Sequence, residues 1–280
     1  MKIAQLQVAA FSWKVSEAGY EWKKGVDSKP HLFERNIPGK GSWIYRPMIE
    51  YPGLFREFAG LEGKQAILEF ANRYGVLFNR YSLNDSIAEK GSYRSVGASS
   101  GTAFKVWERE IEDMRILVSL WDTTNQNRIS DLKQIVAWID GQAEYRIRTP
   151  KHYSYGSLTL LGVPHYFREG DLLLPARHAL QWEINKRLSD EFTESEVYKI
   201  GCVPRVVWNA DGSQTLTIKP PNLLGAMWLQ FAQFASGTYE LKRCPGCGRY
   251  FQAGKGARRR ADAITCSDAC RQRKKRESLS

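Results

Sequence analysis

The segments LKRCPGCGRYF (residues 241–251) and ITCSDACRQRKKR (residues 264–276) carry four of the chain's five cysteines. Cys244 and Cys247 form one pair, and Cys266 and Cys270 follow eighteen residues after it. Cys-Pro-Gly-Cys-Gly reads as a tight turn in which Gly246 and Gly248 take positive φ, so that backbone amides point at both sulfurs. Cys266 and Cys270 stand four apart, which puts them on one face of a helix beginning near Ser267. The unpaired amides and the dipole of that first turn favour thiolates, the form that binds metal. Tyr250 and Phe251 are expected to open a short hairpin, with Ile264 returning from it to close a small core under the metal.

Knuckle, hairpin and ligand-bearing helix together describe a treble-clef zinc module. About 40 residues bury too little apolar surface to fold alone, and a structural zinc contributes on the order of 10–16 kcal/mol of apparent binding energy. Two disulfides or an iron–sulfur cluster are the other readings of four cysteines. A reducing compartment disfavours the first, and the usual cluster signatures differ from this spacing. One structural Zn²⁺ held by Cys244, Cys247, Cys266 and Cys270 is therefore expected, with no open ligand position for catalysis.

Working outward, the charge is concentrated at the same end. The chain has 280 residues and a formal charge of +11, and residues 241–280 hold 12 of its 41 Lys and Arg but 3 of its 30 Asp and Glu. Arg258, Arg259 and Arg260 lie between the cysteine pairs, and Arg271, Arg273, Lys274, Lys275 and Arg276 follow Cys270. Two basic clusters held together by one metal could follow a nucleic-acid backbone. Solvation of the surface, or an acidic protein partner, would use the same residues. No run reaches the roughly 18 apolar residues of a membrane span, and the first fifteen residues lack a signal-peptide apolar block. A cytoplasmic protein without membrane contact is expected.

The rest of the chain reads as a mainly helical body with short β-hairpins, residues 1–237, ahead of the module at 238–280. Residues 1–60 are rich in Trp, Tyr, Pro and Gly and read as irregular or partly stranded. Ile67, Phe70, Ala71 and Tyr74 share one helix face, with Gly75 as its C-terminal cap. Gly91–Gly101 reads as a loop. Phe104, Trp107, Ile111, Met114, Val118 and Trp121 mark a long amphipathic helix. A second helix is expected over Ile129, Leu132, Val136 and Ile139, ended by Gly141. A third begins near Leu172, capped by Asp171, with Leu173, Ala176, Leu180 and Ile184 aligned. Val206–Trp208 and Leu216–Ile218 flank Asn209-Ala210-Asp211-Gly212 as a hairpin. Asn222 caps a last apolar helix, Leu223 to Ala235, which runs almost directly into the cysteines, so the module should dock closely on the body.

Leu241 through Cys247, Phe251, Arg258-Arg259-Arg260 and Cys266 through Arg273 resemble the bacterial CGNR-type zinc finger. The naming motif is replaced by Cys270-Arg271-Gln272-Arg273, which keeps its first and last residues. That family sets such a finger behind an α-helical body and includes DNA-binding transcription regulators. The resemblance implies double-stranded DNA as partner and a regulatory role. The stretch Tyr45-Arg46-Pro47 through Pro52-Gly53-Leu54-Phe55 to Tyr74-Gly75 also looks like bacterial proteins of no assigned activity.

No catalytic constellation can be assembled. Gly97–Thr102 lacks the Lys of a phosphate loop. Gly39-Lys40-Gly41 and Gly254-Lys255-Gly256 are shorter still. His31, His152, His165 and His178 show no metal or triad spacing, and Cys202 reads as a core thiol. Three classes of function fit: a DNA-binding regulator with the body as sensor or scaffold, a protein-interaction module, and an enzyme targeted by the finger.

Overall fold

The fold is described for residues 7–8, 11–25, 27–78, 101–148, 153–157, 168–189, 201–208, 214–237, 239–254, 257 and 259–277 of a computed structural model. Helices joined by short β-hairpins make up the chain, with the cysteine cluster at its C-terminal end. The loop Gly91–Ser100, the turn Asn209–Gly212, Arg258, His152 and His165 lie outside the described residues.

The aromatic-rich opening is strand-forming because its large apolar residues alternate. Strands β2 (Trp13–Ser16) and β5 (Ser42–Tyr45) pair antiparallel, and so do β3 (Tyr20–Lys24) and β4 (Pro30–Glu34). Trp13, Val15, Tyr20, Leu32 and Tyr45 turn inward. Helices α1 (Pro47–Glu50), α2 (Leu54–Ala59) and α3 (Gly63–Tyr74) follow. Ile67, Phe70, Ala71 and Tyr74 of α3 are all buried, as their spacing requires. Gly75, at φ 90°, ends the helix with its N–H on Ala71. A Cβ there would lie 2.7 Å from Trp13 Nε1, so this position needs glycine twice over.

After β6 (Thr102–Ala103), which pairs with β4, the long helix α4 (Phe104–Asn125) buries Trp107, Ile111, Met114 and Val118. The second helix expected from sequence is a correction. Only α5 (Ile129–Leu132) forms, and the chain then enters β7 (Val136–Ile139), which pairs with β8 (Gln142–Arg148), itself paired with β9 (Tyr153–Ser157). Two causes decide this. Val136 and Ile139 are β-branched and flank Trp138, a strand-forming set. Asp140 and Gly141 both take positive φ, 48° and 74°, the two-residue turn that matches strand twist. Gly141 makes a hairpin there and does not end a helix.

Helix α6 (Leu173–Ser189) begins where Asp171 Oδ1 accepts the N–H of Leu173 at 2.9 Å. Strands β10 (Val203–Trp208) and β11 (Gln214–Lys219) form the expected hairpin, and β1 (Gln7–Val8) joins β11 in parallel. Helix α7 (Leu223–Ala235) is capped by Asn222, whose Oδ1 accepts from Gly225 N at 2.8 Å. Every residue from Leu223 to Phe231 is buried, and α1, α2, α4 and α6 surround the helix. Its one polar side chain in this span, Gln230, donates from Nε2 to the carbonyls of Pro47 and Tyr51, each at 2.9 Å.

A buried ion network crosses the helices. Glu110 and Asp113 of α4 face Arg187 of α6, which lies 3.6 Å from Glu110 and contacts Asp113 directly. The guanidinium also sits 5.5 Å from the Trp228 ring centroid. Arg187→Leu should destabilise the body by about 3–5 kcal/mol in urea unfolding, because two carboxylates lose their shared counter-ion. Lys23→Ala, which removes an exposed pair with Glu21, should cost less than about 1 kcal/mol in the same experiment. Equal effects would show that the buried network contributes nothing special.

Candidate metal centre and its basic surround

Strands β12 (Glu240–Arg243) and β13 (Tyr250–Ala253) run antiparallel, and the turn between them holds the first two cysteines. Cys244 N donates to Arg249 O at 2.9 Å and Gly248 N to Cys244 O at 2.8 Å, which closes the turn. Gly248 takes the expected positive φ, 73°. Gly246 does not, and its requirement is space: a Cβ would lie 2.9 Å from the Cys270 carbonyl and 3.2 Å from the Cys270 Cβ. Helix α8 (Asp268–Glu277) starts behind Ser267, whose Oγ accepts the Cys270 N–H at 3.2 Å. That cap sets Cys270 in the first turn, against Gly246.

The four thiols converge. All four sulfurs lie within 4.8 Å of one another. Cys247 and Cys266 sulfurs are 3.5 Å apart, and those of Cys266 and Cys270 are 3.6 Å apart. A disulfide needs about 2.05 Å. A tetrahedral site with bonds of about 2.3 Å has sulfur–sulfur edges of about 3.8 Å. The spacing is that of ligands around an ion, and all four cysteines are free thiols.

Backbone donors complete the arrangement. Cys244 Sγ accepts from Cys266 N at 3.4 Å and from the Gly246 N–H, and its pKa is held low against the opposing effect of burial. Burial also pushes Cys247 up, but the N–H and guanidinium of Arg249 outweigh it and hold the thiol at about 6. Cys266 goes the other way, to about 12, because it is buried among three neighbouring thiols. A cluster this tight cannot carry four thiolates unless a cation sits among them. The donor set, its spacing and its N–H···S bonds all fit a thiophilic metal ion.

The module's own core is small: Cys244, Phe251, Ala253 and Cys270 are buried, with Ala263 packed against them. Ile264, expected to close this core, is 67 % exposed. The chain returns differently, through a single bridge between Ala253 and Arg259, and Ala263 takes the place intended for Ile264.

The basic residues separate into two sets. Arg259 Nε donates to Cys266 O at 3.0 Å and its guanidinium pairs with Asp268 at 3.5 Å. Arg243 Nε donates to Gly248 O at 3.1 Å, and Lys242 Nζ to Ala261 O. With Arg249, these side chains brace the cysteine loops. Arg273 bridges the sets: it is exposed on α8 and donates to Gly246 O at 3.3 Å. Arg260, Arg271, Lys274, Lys275 and Arg276 are exposed, Arg271 with a 3.5 Å contact to Asp268. Sequence reading grouped Arg259 with the outward residues and passed over Arg249. The signal for Arg249 was its place two residues after Cys247, where a knuckle turns its N–H to the sulfur.

The module is docked closely, as expected. Tyr250 packs on Gly53, where a Cβ would lie 2.3 Å from the Tyr250 Cβ. The Tyr239 hydroxyl donates to Gln230 O at 3.0 Å and lies 3.5 Å from Pro52 O. Leu241 packs against the main core. The Pro47–Gly53 corner, part of a stretch without functional meaning in the sequence, is the seat of the cysteine module.

The remaining residues singled out from sequence stand apart from this centre. His31 lies between Gly101 O (2.7 Å) and Asp27 Oδ1 (2.9 Å). His178 is half-buried on α6, and burial holds its imidazole below the ordinary value. Cys202 Sγ faces Gly225 O at 3.8 Å, away from the four. Among the described residues, no other cluster of His, Cys, Asp and Glu has metal-binding spacing, and no helix is long and apolar enough to cross a membrane. No protein-family model, curated protein or solved structure matches the chain.

Gly246→Ala should push α8 off the knuckle, since the contact it meets is backbone. Affinity for a thiophilic metal should fall roughly 10–100-fold, the range seen when the groups supporting ligands are disturbed. Gly254→Ala is the contrast: nothing lies within 4 Å of its Cβ position, so only backbone strain at its φ of 106° is expected. Competition with a chromogenic chelator measures both, and parental affinity in Gly246→Ala would refute the packing role.

Proposed function

We propose that Cys244, Cys247, Cys266 and Cys270 hold one structural Zn²⁺. Residues 238–280 would then be a treble-clef finger of CGNR type on the helical body of residues 1–237. The observation that carries this reading is the convergence of four sulfurs within 4.8 Å, each pair supplied by a different segment. Zinc suits four thiolates in a tetrahedron, and a filled tetrahedron leaves no position for substrate, so the ion's work is to hold knuckle and helix together. Bound zinc supplies the positive charge that lets all four sulfurs ionise.

The finger's partner in this reading is nucleic acid, with double-stranded DNA the form favoured and the body acting as sensor or scaffold of a bacterial regulator. Support comes from the basic helix α8, whose residues Arg271 to Arg276 are all exposed beyond the cysteine site. Phosphate neutralisation by such residues releases condensed counterions, which supplies the binding energy. Arg259 spends Nε on Cys266 O and lies 3.5 Å from Asp268, so it has fewer donors left for a phosphate than the residues of α8.

Elemental analysis should find one zinc per chain, lost in Cys266→Ser and unchanged in Cys202→Ser. With about five phosphate contacts, duplex binding should weaken on the order of 100- to 1,000-fold between 50 and 200 mM salt. Replacing Arg271, Lys275 and Arg276 together by Ala should flatten the salt slope by about two to three contacts, with zinc retained. Metal-free protein with equal protease resistance at the C-terminus would refute the zinc site. Absence of duplex binding at low salt would transfer the basic helix to an acidic protein partner.

A further inference from the structure

The distribution of charge around α8 says how it would meet its partner. Successive residues of a helix are turned by about 100°. Taking Gln272 as the front, Lys275 lies about 60° to one side and Arg276 about 40° to the other, with Arg271 and Arg273 about 100° to either side. Two cations thus flank Gln272 on each side. Cys270, Lys274 and Glu277 occupy the back, and Cys270 is the buried residue that joins this face to the cysteine centre. Arg271 to Glu277 are all exposed to solvent. Asp268 shares the front at the helix start, where Arg259 and Arg271 neutralise it, each at 3.5 Å.

A helix that lies across one phosphate strand needs cations on one side of its contact line. Cations on both sides of a central amide fit a channel with phosphates on two walls. The major groove of B-DNA is such a channel, about 12 Å wide and able to admit an α-helix. The major groove of A-form RNA is too narrow for side chains to read. Single-strand binders stack bases on aromatic side chains, and Asp268–Glu277 contains none.

We infer that α8 enters the major groove of duplex DNA with Gln272 at the base edges, Arg271 and Lys275 on one backbone and Arg273 and Arg276 on the other. The inference rests on the nucleic-acid reading above and adds sequence preference to it. Gln is the residue that can pair bidentately with adenine N6 and N7, a contact that discriminates between bases roughly five- to hundredfold. Arg273 also donates to Gly246 O, and a guanidinium carries five donors. It can therefore hold the knuckle and a phosphate together.

The test is selection from a random-sequence duplex library by the full-length zinc-loaded protein. The parent should enrich a motif containing an adenine whose replacement costs roughly five- to hundredfold. Gln272→Ala should lose that preference, with zinc content, affinity for random duplex and salt slope unchanged. Gln272→Asn, which keeps the amide, should recover part of it. Duplex binding without an enriched motif, an unchanged motif in Gln272→Ala, or equal affinity for duplex RNA would overturn the groove inference and leave phosphate binding standing. A parent that binds no duplex at low salt would overturn both.

Discussion

The structure is organised around the burial of α7. A helix that is apolar on nearly all sides has no face to give to water, so it must be enclosed. Leu223 to Phe231 meet that demand by lying among α1, α2, α4 and α6. The enclosure fixes two other features. The buried amide nitrogen of Gln230 donates to the carbonyls of Pro47 and Tyr51 and so pins the corner between α1 and α2. The end of α7 then lies beside that corner, a few residues from the first strand of the finger.

The cysteine module is consequently seated on the body's own frame. Tyr239 bonds to α7 through Gln230 O, Tyr250 fills the space over Gly53, and Leu241 reaches the main core. A module of this size has only Phe251, Ala253, Ala263 and the cysteines for a core of its own. Contact with the body and convergence of the thiols supply what apolar burial does not. The cysteine centre is electrostatically incomplete by itself. Arg249 holds Cys247 low while its neighbours push Cys266 high, the pattern of several sulfurs sharing too little positive charge.

Cations near that centre serve two ends. Lys242, Arg243, Arg249 and Arg259 spend their hydrogen bonds on the cysteine loops, where they also offset thiolate charge. Those of α8 face outward around Gln272. Counting basic residues in the sequence therefore overstates the uncommitted charge, since part of it is spent on bracing the cysteine loops. Within α8 the two sit on opposite sides: Cys270 is buried against the cysteine cluster, and Gln272 lies about 160° around the helix from it.

What the sequence by itself determined is what depends on neighbours along the chain. The cysteine cluster follows from two short cysteine spacings, α3, α4, α6 and α7 from helical periodicity, and the starts of α6 and α7 from Asp171 and Asn222. Close docking was also legible, because a fully apolar helix runs almost directly into the cysteines. Tertiary structure decided the rest. Ile129, Leu132, Val136 and Ile139 satisfy helical spacing, yet the Asp140-Gly141 turn and the pairing of β7 with β8 make the second half a strand, since periodicity over two turns cannot separate the alternatives. Gly246 looked like a conformational glycine and is a spatial one, because the Cys270 backbone that crowds it arrives from 24 residues away. Arg259 is marked by the sequence only as a phosphate ligand and also braces Cys266, and the Pro47–Gly53 corner looked inert and is the cysteine module's seat. Each of these roles is defined by a contact with a distant segment, which no local pattern of residues encodes.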